Sequence, residues 1–185
     1  AYTGEESYVG LRRGILQGQY NSWSQGSSCM KVAASDNIVV FRASEVAFLR
    51  AEGALRGWNM GGSPKDLYEA GIRLSFEENN ISSGVESYLA NTGKVEGYKD
   101  PLKGQSGQTY DYSGSINTAV TVAWAGGDFE KSLEQIITQK WIANFPNGME
   151  SWSEYRRTGY PKLMPMAANA SSGIVDDTEL SLIHI

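Results

Sequence analysis

The spacing of apolar residues along the chain predicts helices separated by long irregular segments. The clearest helix covers residues 44–57, where Ser44 is a suitable N-cap and Gly57 stands where a C-terminal glycine is expected. Its predicted apolar face consists of Val46, Leu49, Gly53 and Ala54, widened by Phe48, Ala51 and Leu55. The small residues on this helix would allow a second helix to approach closely.

A second helix is predicted to follow after a short loop. Ser63 is placed as its N-cap and Pro64 at its first position, and Asp66 follows in the first turn. The pattern extends to between residues 76 and 78, with an apolar face of Leu67, Ala70, Gly71 and Leu74. Two helices joined by so short a turn form a helical hairpin.

Three further helices are predicted toward the C-terminal side. One short helix lies within residues 79–92, one capped by Asp128 covers residues 129–144, and one covers residues 149–157. The side chains predicted to face inward are Val85, Tyr88 and Leu89, followed by Phe129, Leu133, Ile136, Ile137 and Trp141. The run 38–41 is predicted to be a brief strand or a buried approach to the first helix.

The remaining residues are predicted to be irregular. Residues 1–40 and 93–127 are rich in Gly, Ser, Thr and Tyr, and residues 167–185 are expected to form a poorly ordered or non-native tail. The predicted fold class is therefore mostly α, with a helical hairpin packed on further helices and long irregular loops. We expect residues 1–185 to form a single domain.

Composition and charge exclude several classes of function. The net charge of −5 argues against a protein that tracks nucleic-acid phosphates, which needs a basic face. The single cysteine, Cys29, and the single histidine, His184, leave no catalytic triad and no Cys/His zinc site. No apolar window is long enough to span a membrane. We therefore predict no catalytic residues, no bound metal and no cofactor.

Paired carboxylates would be the remaining route to an enzyme, as in glycoside hydrolases. Glu77 and Glu78 are adjacent in sequence, as are Asp176 and Asp177, and neighbours on a helix point in different directions. Asp111 is a single carboxylate, whereas hydrolysis of a glycoside requires two.

Aromatic residues within the irregular segments suggest a binding function instead. A Tyr or Trp ring can pack on the apolar face of a sugar, while Asn and Asp hydrogen-bond its hydroxyl groups. The candidate ligand-binding residues are Tyr20, Asn21, Trp23, Tyr98, Tyr110, Asp111 and Tyr112. The alternative is that these rings attach the loops to the helical core.

Three segments occur in order, and they are FRASEVAFLRAEGALRGW at 41–58, LYEAGIRLSF at 67–76 and IITQKWIANFPNGMESWSEYRRTGYP at 136–161. Together these segments resemble the SusD/RagB family. The resemblance implies a mostly α fold with tetratricopeptide-like helix pairs and a surface lipoprotein of the outer membrane. It also implies a longer chain, of which this sequence is a C-terminal fragment whose lipid-anchor cysteine is not Cys29. The residues from 180 to 185 match nothing in the family pattern.

The function predicted from the resemblance is cell-surface binding of an oligosaccharide or polysaccharide without catalysis. The implied partner is a SusC-like TonB-dependent transporter, with no nucleic acid and with membrane contact through a lipid anchor outside this chain. A helical protein-interaction module without sugar binding is the first alternative, and a glycoside hydrolase is the second.

Overall fold

A computed structural model describes residues 12, 28, 33–35, 38–94, 97, 98, 100, 111, 112 and 120–167. The chain divides into two compact units. The helical unit consists of Ile38–Val95 and Asn117–Lys162, and the second unit consists of Ala1–Asn37, Glu96–Ile116 and Leu163–Ile185. This division does not test the expectation of a single domain, and most of the predicted tail lies outside the described residues.

The described part of the helical unit contains five helices, which are α1 (Ala43–Leu55), α2 (Pro64–Glu78), α3 (Val85–Leu89), α4 (Phe129–Ala143) and α5 (Gly148–Thr158). Each predicted helix is present, and α1 packs most extensively on α2 and then on α4. Among the described residues there is no strand, and no helix is long and apolar enough to cross a membrane.

The predicted N-caps of α2 and α4 are confirmed, and each of them depends on residues that are close in sequence. The Ser63 hydroxyl accepts a hydrogen bond from the Asp66 amide at 3.1 Å, and an Asp128 carboxylate oxygen accepts one from the Glu130 amide at 3.1 Å. Ser44 is not the N-cap of α1, because Arg42 holds that position. Instead the Ser44 amide and hydroxyl donate to the Glu78 carboxylate at 2.9 and 2.6 Å, so the end of α2 satisfies the start of α1.

The apolar core lies where α1, α2 and α4 meet. Its buried members are Phe48, Ala51, Leu67, Tyr68, Ile72, Ile136 and Ala143. Gly71 allows the closest approach, because a Cβ atom built there would lie 2.7 Å from the Phe48 ring. The expected role of small residues in the hairpin therefore applies at this position.

The orientation of α1 differs from the prediction. Val46 and Leu49 were expected to face inward but are 39% and 41% exposed, whereas Glu45 and Glu52 are buried. Phe129, also predicted inward, is 40% exposed. Phe48, Ala51 and Gly53, which were predicted on the same face, are buried. Apolar spacing could not show that Glu45 and Glu52 are buried as well, because they pair with cations on α4 and α5.

Lys140 is the first of these cations and is 1% exposed. Its ammonium nitrogen lies 3.4 Å from Glu45, 3.2 Å from Glu150 and 3.3 Å from Glu154. The burial of Glu45 raises the pKa of its carboxyl group, and the charge of Lys140 opposes that rise. Three carboxylates on two other helices thus surround one buried ammonium group.

Arg157 is the second cation and pairs with Glu52. Its two terminal nitrogens donate to the two Glu52 oxygens at 2.7 and 2.6 Å, which is the bidentate geometry of strong arginine–carboxylate pairs. Burial alone would raise the pKa of Glu52, but hydrogen bonds from Arg157 and Arg56 outweigh it and hold the pKa below its ordinary value. Glu52 is therefore a carboxylate at neutral pH.

Two irregular stretches behave differently from each other. Residues 38–41 form neither a strand nor a buried approach, since Ile38 and Val40 are 91% and 86% exposed. Residues 120–124 are fixed by helix side chains. The Gln135 amide donates to the carbonyl oxygens of Thr121 and Ala123 at 2.8 Å each, and the Tyr68 hydroxyl donates to Val122 O at 2.7 Å.

Candidate functional site

The structure brings together the three candidate ligand-binding residues that it describes. Tyr98 and Tyr112 form an isolated antiparallel bridge, in which the Tyr112 amide donates to Tyr98 O at 2.8 Å. Side chains directly opposite each other in an antiparallel pair project to the same face. Tyr98 therefore lies close to Tyr112 and the adjoining Asp111, although more than ten residues separate it from them in the sequence.

The remaining candidates, Tyr20, Asn21, Trp23 and Tyr110, lie outside the described residues. Their role as ligand contacts stays a prediction.

Asp111 fixes the backbone at this bridge. One carboxylate oxygen accepts a hydrogen bond from the Asp100 amide at 2.8 Å, while the residue itself is exposed. A carboxylate has about four lone-pair sites and acts only as an acceptor of hydrogen bonds.

Arg12 is a functional candidate that the sequence did not reveal. Its guanidinium lies over the Tyr112 ring, 5.0 Å from the ring centroid, in cation–π geometry. It also donates to Asp111 O at 3.2 Å and to Pro165 O at 3.2 Å. Because Arg12 is 99 residues from Asp111 in sequence, no local pattern could have predicted the contact.

Tyr98 contributes a neutral hydroxyl group. Burial, followed by the charge of Asp100, raises the pKa of its phenol to about 12, although Arg12 acts in the opposite direction. A phenol that stays protonated at neutral pH can both donate and accept a hydrogen bond. The site thus combines two aromatic rings, a neutral hydroxyl and a carboxylate, which are the groups suited to a polyhydroxylated ring.

A second group of aromatic residues lies on the helical unit. Trp152 stacks on Tyr155 with ring centroids 5.8 Å apart, and Trp141 meets Tyr155 edge-on at 6.4 Å. These rings pack against one another along α4 and α5, and Trp152 is 41% exposed. Because these rings pair with each other on helices, they serve as a control for binding experiments on the Tyr98–Tyr112 site.

No cluster of three or more metal-ligating side chains occurs among the residues that the structure describes.

Comparison with known proteins identifies the relatives of this chain. The sequence profile of a family described as SusD-like, SusD and RagB outer membrane lipoprotein, matches residues 1–182. A SusD homologue from Bacteroides ovatus is 89% identical, with a TM-score of 0.87 over 96% of this chain and 36% of that chain. None of the curated proteins matches significantly.

Two further solved structures are similar. A SusD homologue from Bacteroides thetaiotaomicron is 48% identical, with a TM-score of 0.79 over 92% of this chain and 35% of that chain. A chitin-binding SusD homologue from Flavobacterium johnsoniae is 50% identical, with a TM-score of 0.63 over 74% of this chain and 27% of that chain. The chain thus spans little more than a third of the length of the first two relatives.

These findings confirm the predicted fold class and the family resemblance. The family is described as outer membrane lipoproteins, which agrees with the predicted location. With the profile match covering nearly all of its residues, the chain belongs to the SusD-like family of SusD and RagB outer membrane lipoproteins.

Proposed function

We propose that the protein containing this chain binds oligosaccharides or polysaccharides at the cell surface and delivers them to a SusC-like TonB-dependent transporter. The observation that carries the proposal is membership of the SusD-like family, together with a relative 50% identical that is described as chitin-binding. The protein acts by binding and not by catalysis, and a lipid anchor attaches it to the outer membrane.

The Tyr98–Tyr112 bridge is the proposed point of contact with the glycan. The exposed surface of the tyrosine rings offers apolar faces for the C–H side of a sugar, while the Tyr98 hydroxyl and Asp111 carboxylate bind hydroxyl groups. Arg12 covers part of Tyr112 and orients it. Tyr20, Asn21, Trp23 and Tyr110 are proposed as further contacts from the same loop chemistry.

Calorimetric titration of the full-length protein tests this proposal. The first probe is a set of chitin oligosaccharides, because of the chitin-binding relative, followed by a panel of other plant, host and microbial glycans. We expect saturable binding of at least one glycan. Absence of binding to every glycan in the panel, by a protein that is folded, would contradict the proposal.

A substitution tests whether the glycan binds at the Tyr98–Tyr112 site. Replacement of Tyr112→Ala is expected to weaken binding about tenfold, which corresponds to about 1.4 kcal/mol. The matched control is Trp152→Ala, which removes a partly exposed aromatic ring from the helical unit and should leave the affinity unchanged. Equal loss in both variants would contradict the assignment of the site.

Delivery to the transporter needs a separate measurement. We expect the full-length protein to co-purify with the SusC-like protein from its own gene cluster. Transporter binding without binding to any glycan would favour the alternative of a helical interaction module. Release of reducing sugar that is lost on replacing one carboxylate, such as Asp111→Asn, would instead establish a hydrolase.

A further inference from the structure

The ion-pair network between α1, α4 and α5 contains more carboxylates than cations. Its described members are four carboxylates, those of Glu45, Glu52, Glu150 and Glu154, and three cations, Lys140, Arg157 and Arg56. With every group ionised, one negative charge in this network has no positive counterpart. Since an uncompensated charge away from water is costly, the network favours the uptake of one proton.

The unbalanced charge lies around Lys140. Arg157 donates to both Glu52 and Glu154, and Arg56 donates to Glu52 as well. Lys140 is therefore the cation that Glu45 and Glu150 share, although it also contacts Glu154. An ammonium group has three N–H donors and can serve three carboxylates, but its single charge cannot neutralise all of them.

Glu45 is the least favourable place for a negative charge among these three carboxylates. Its side chain is 6% exposed, whereas that of Glu150 is 37% exposed and is screened by water. Glu154 has a second cation, Arg157, at 2.8 Å. In the described part of the chain, Lys140 is the only cation within ion-pair distance of Glu45. The excess proton therefore belongs on Glu45.

The charges at the contact of α1 with α2 do not relieve Glu45. There the Glu78 carboxylate accepts a hydrogen bond from the Ser44 hydroxyl at 2.6 Å and lies 3.7 Å from Arg42, so it has its own cation. Burial raises the pKa of the Glu45 carboxyl group, the charge of Lys140 opposes that rise, and the Glu150 carboxylate adds to it. The pKa of Glu45 therefore lies above its ordinary value.

We propose that Glu45 is a pH-sensitive switch in the helical unit, which binds a proton as the pH falls below neutral and thereby strengthens the contact of α1 with α4 and α5. Protonation removes the repulsion between Glu45 and the carboxylates of α5, and Lys140 is left to Glu150 and Glu154. This inference is independent of glycan binding.

The direction of the pH dependence follows from where the proton binds more tightly. The folded chain holds the Glu45 proton more tightly than the unfolded chain does. The stability that Glu45 contributes is therefore complete below the ordinary pKa of about 4.3 and is lost as the pH rises through the raised pKa. Glu52 has the opposite dependence, because its pKa is lowered.

Urea denaturation of the full-length protein at pH 7 and pH 5 tests the switch. Glu45→Gln preserves the shape of the side chain and keeps it neutral at both pH values. The unfolding equilibrium constant of the unsubstituted protein, divided by that of Glu45→Gln, is expected to fall at least twofold from pH 7 to pH 5. A ratio that stays constant or rises would overturn the proposal.

Two further variants assign the effect to the Lys140 cluster. Glu86→Gln is the matched control, because Glu86 is exposed and a hydrogen bond from Arg73 lowers its pKa, so its ratio should not fall. Glu150→Gln removes the carboxylate that competes for Lys140, so its ratio should fall, though less than that of Glu45→Gln. This variant also keeps the test decisive if Glu45→Gln does not fold. Equal falls for Glu86→Gln and Glu45→Gln, or a constant ratio for Glu150→Gln, would contradict the proposal.

Discussion

The interior of the helical unit and the Tyr98–Tyr112 site are built on different principles. In the helical unit, buried charges and close apolar contacts fix four helices against one another, as around Lys140 and Gly71. At the Tyr98–Tyr112 site, the described contacts include a backbone bridge, the Asp111–Asp100 hydrogen bond and the Arg12 guanidinium, and both tyrosines stay partly exposed. The comparison separates a helical framework held by long-range packing from a surface that we propose contacts a ligand.

The segments that carry the family resemblance contact each other in the folded chain. Glu52 belongs to the segment 41–58 and Arg157 to the segment 136–161, and these two residues form the bidentate pair at 2.7 and 2.6 Å. The third segment, 67–76, contributes Gly71, which accommodates the Phe48 ring. All three segments thus serve the framework, and none of the candidate glycan contacts lies in them.

The largest expected effect is on the framework, at Lys140. Replacing Lys140→Ala leaves Glu45 buried without its cation, whereas Glu154 keeps Arg157. Breaking a buried ion pair on one side costs about 3–5 kcal/mol. We expect a correspondingly lower free energy of unfolding in the full-length protein, measured by urea denaturation. Lys65→Ala is the control, because Lys65 is 56% exposed and lies 3.7 Å from Glu69. Its effect should stay below about 1 kcal/mol.

The next effect tests the close approach of α1 and α2. Gly71→Ala inserts a methyl group against the Phe48 ring, where overpacking costs about 1–3 kcal/mol. Gly148→Ala is matched to it, since a methyl group at the start of α5 meets open space. Urea denaturation of both variants should show a loss of stability for Gly71→Ala alone. Equal stability of the two would mean that the helices can separate without strain.

A smaller effect concerns pH and Glu52. Its pKa in the folded protein is held below the ordinary value of about 4.3, so the Glu52–Arg157 pair contributes its stability above that value. The contribution is lost as the pH falls through the lowered pKa. We expect Glu52→Gln to reduce stability by about 1–2 kcal/mol at pH 7 and to lessen the loss on acidification. An unchanged stability difference from pH 7 to pH 3 would contradict this account.

The features of the fold that depend on neighbouring residues could be predicted from the sequence. Ser63 and Asp128 cap their helices through amides two or three residues away, so both helix starts could be placed. The burial of Glu45 and Glu52 on α1 could not be predicted, because Lys140 and Arg157 lie about ninety or more residues beyond these glutamates. Spacing alone correctly included Phe48, Ala51 and Gly53 in the buried face of α1, but it also included Val46 and Leu49, which are partly exposed.

Prediction of the candidate site from the sequence was limited in the same way. Side-chain chemistry was sufficient to select Tyr98, Asp111 and Tyr112, which the structure brings together. It was not sufficient to find Arg12, whose contacts depend on how distant segments of the chain meet.

The most direct test of the separation between framework and site measures glycan affinity and urea stability together in two variants of the full-length protein. The account predicts that Tyr112→Ala weakens the affinity about tenfold while changing the free energy of unfolding by less than about 1 kcal/mol. Gly71→Ala should lower the free energy of unfolding and leave the affinity unchanged. Unaltered affinity in Tyr112→Ala, or loss of affinity in a folded Gly71→Ala protein, would contradict it.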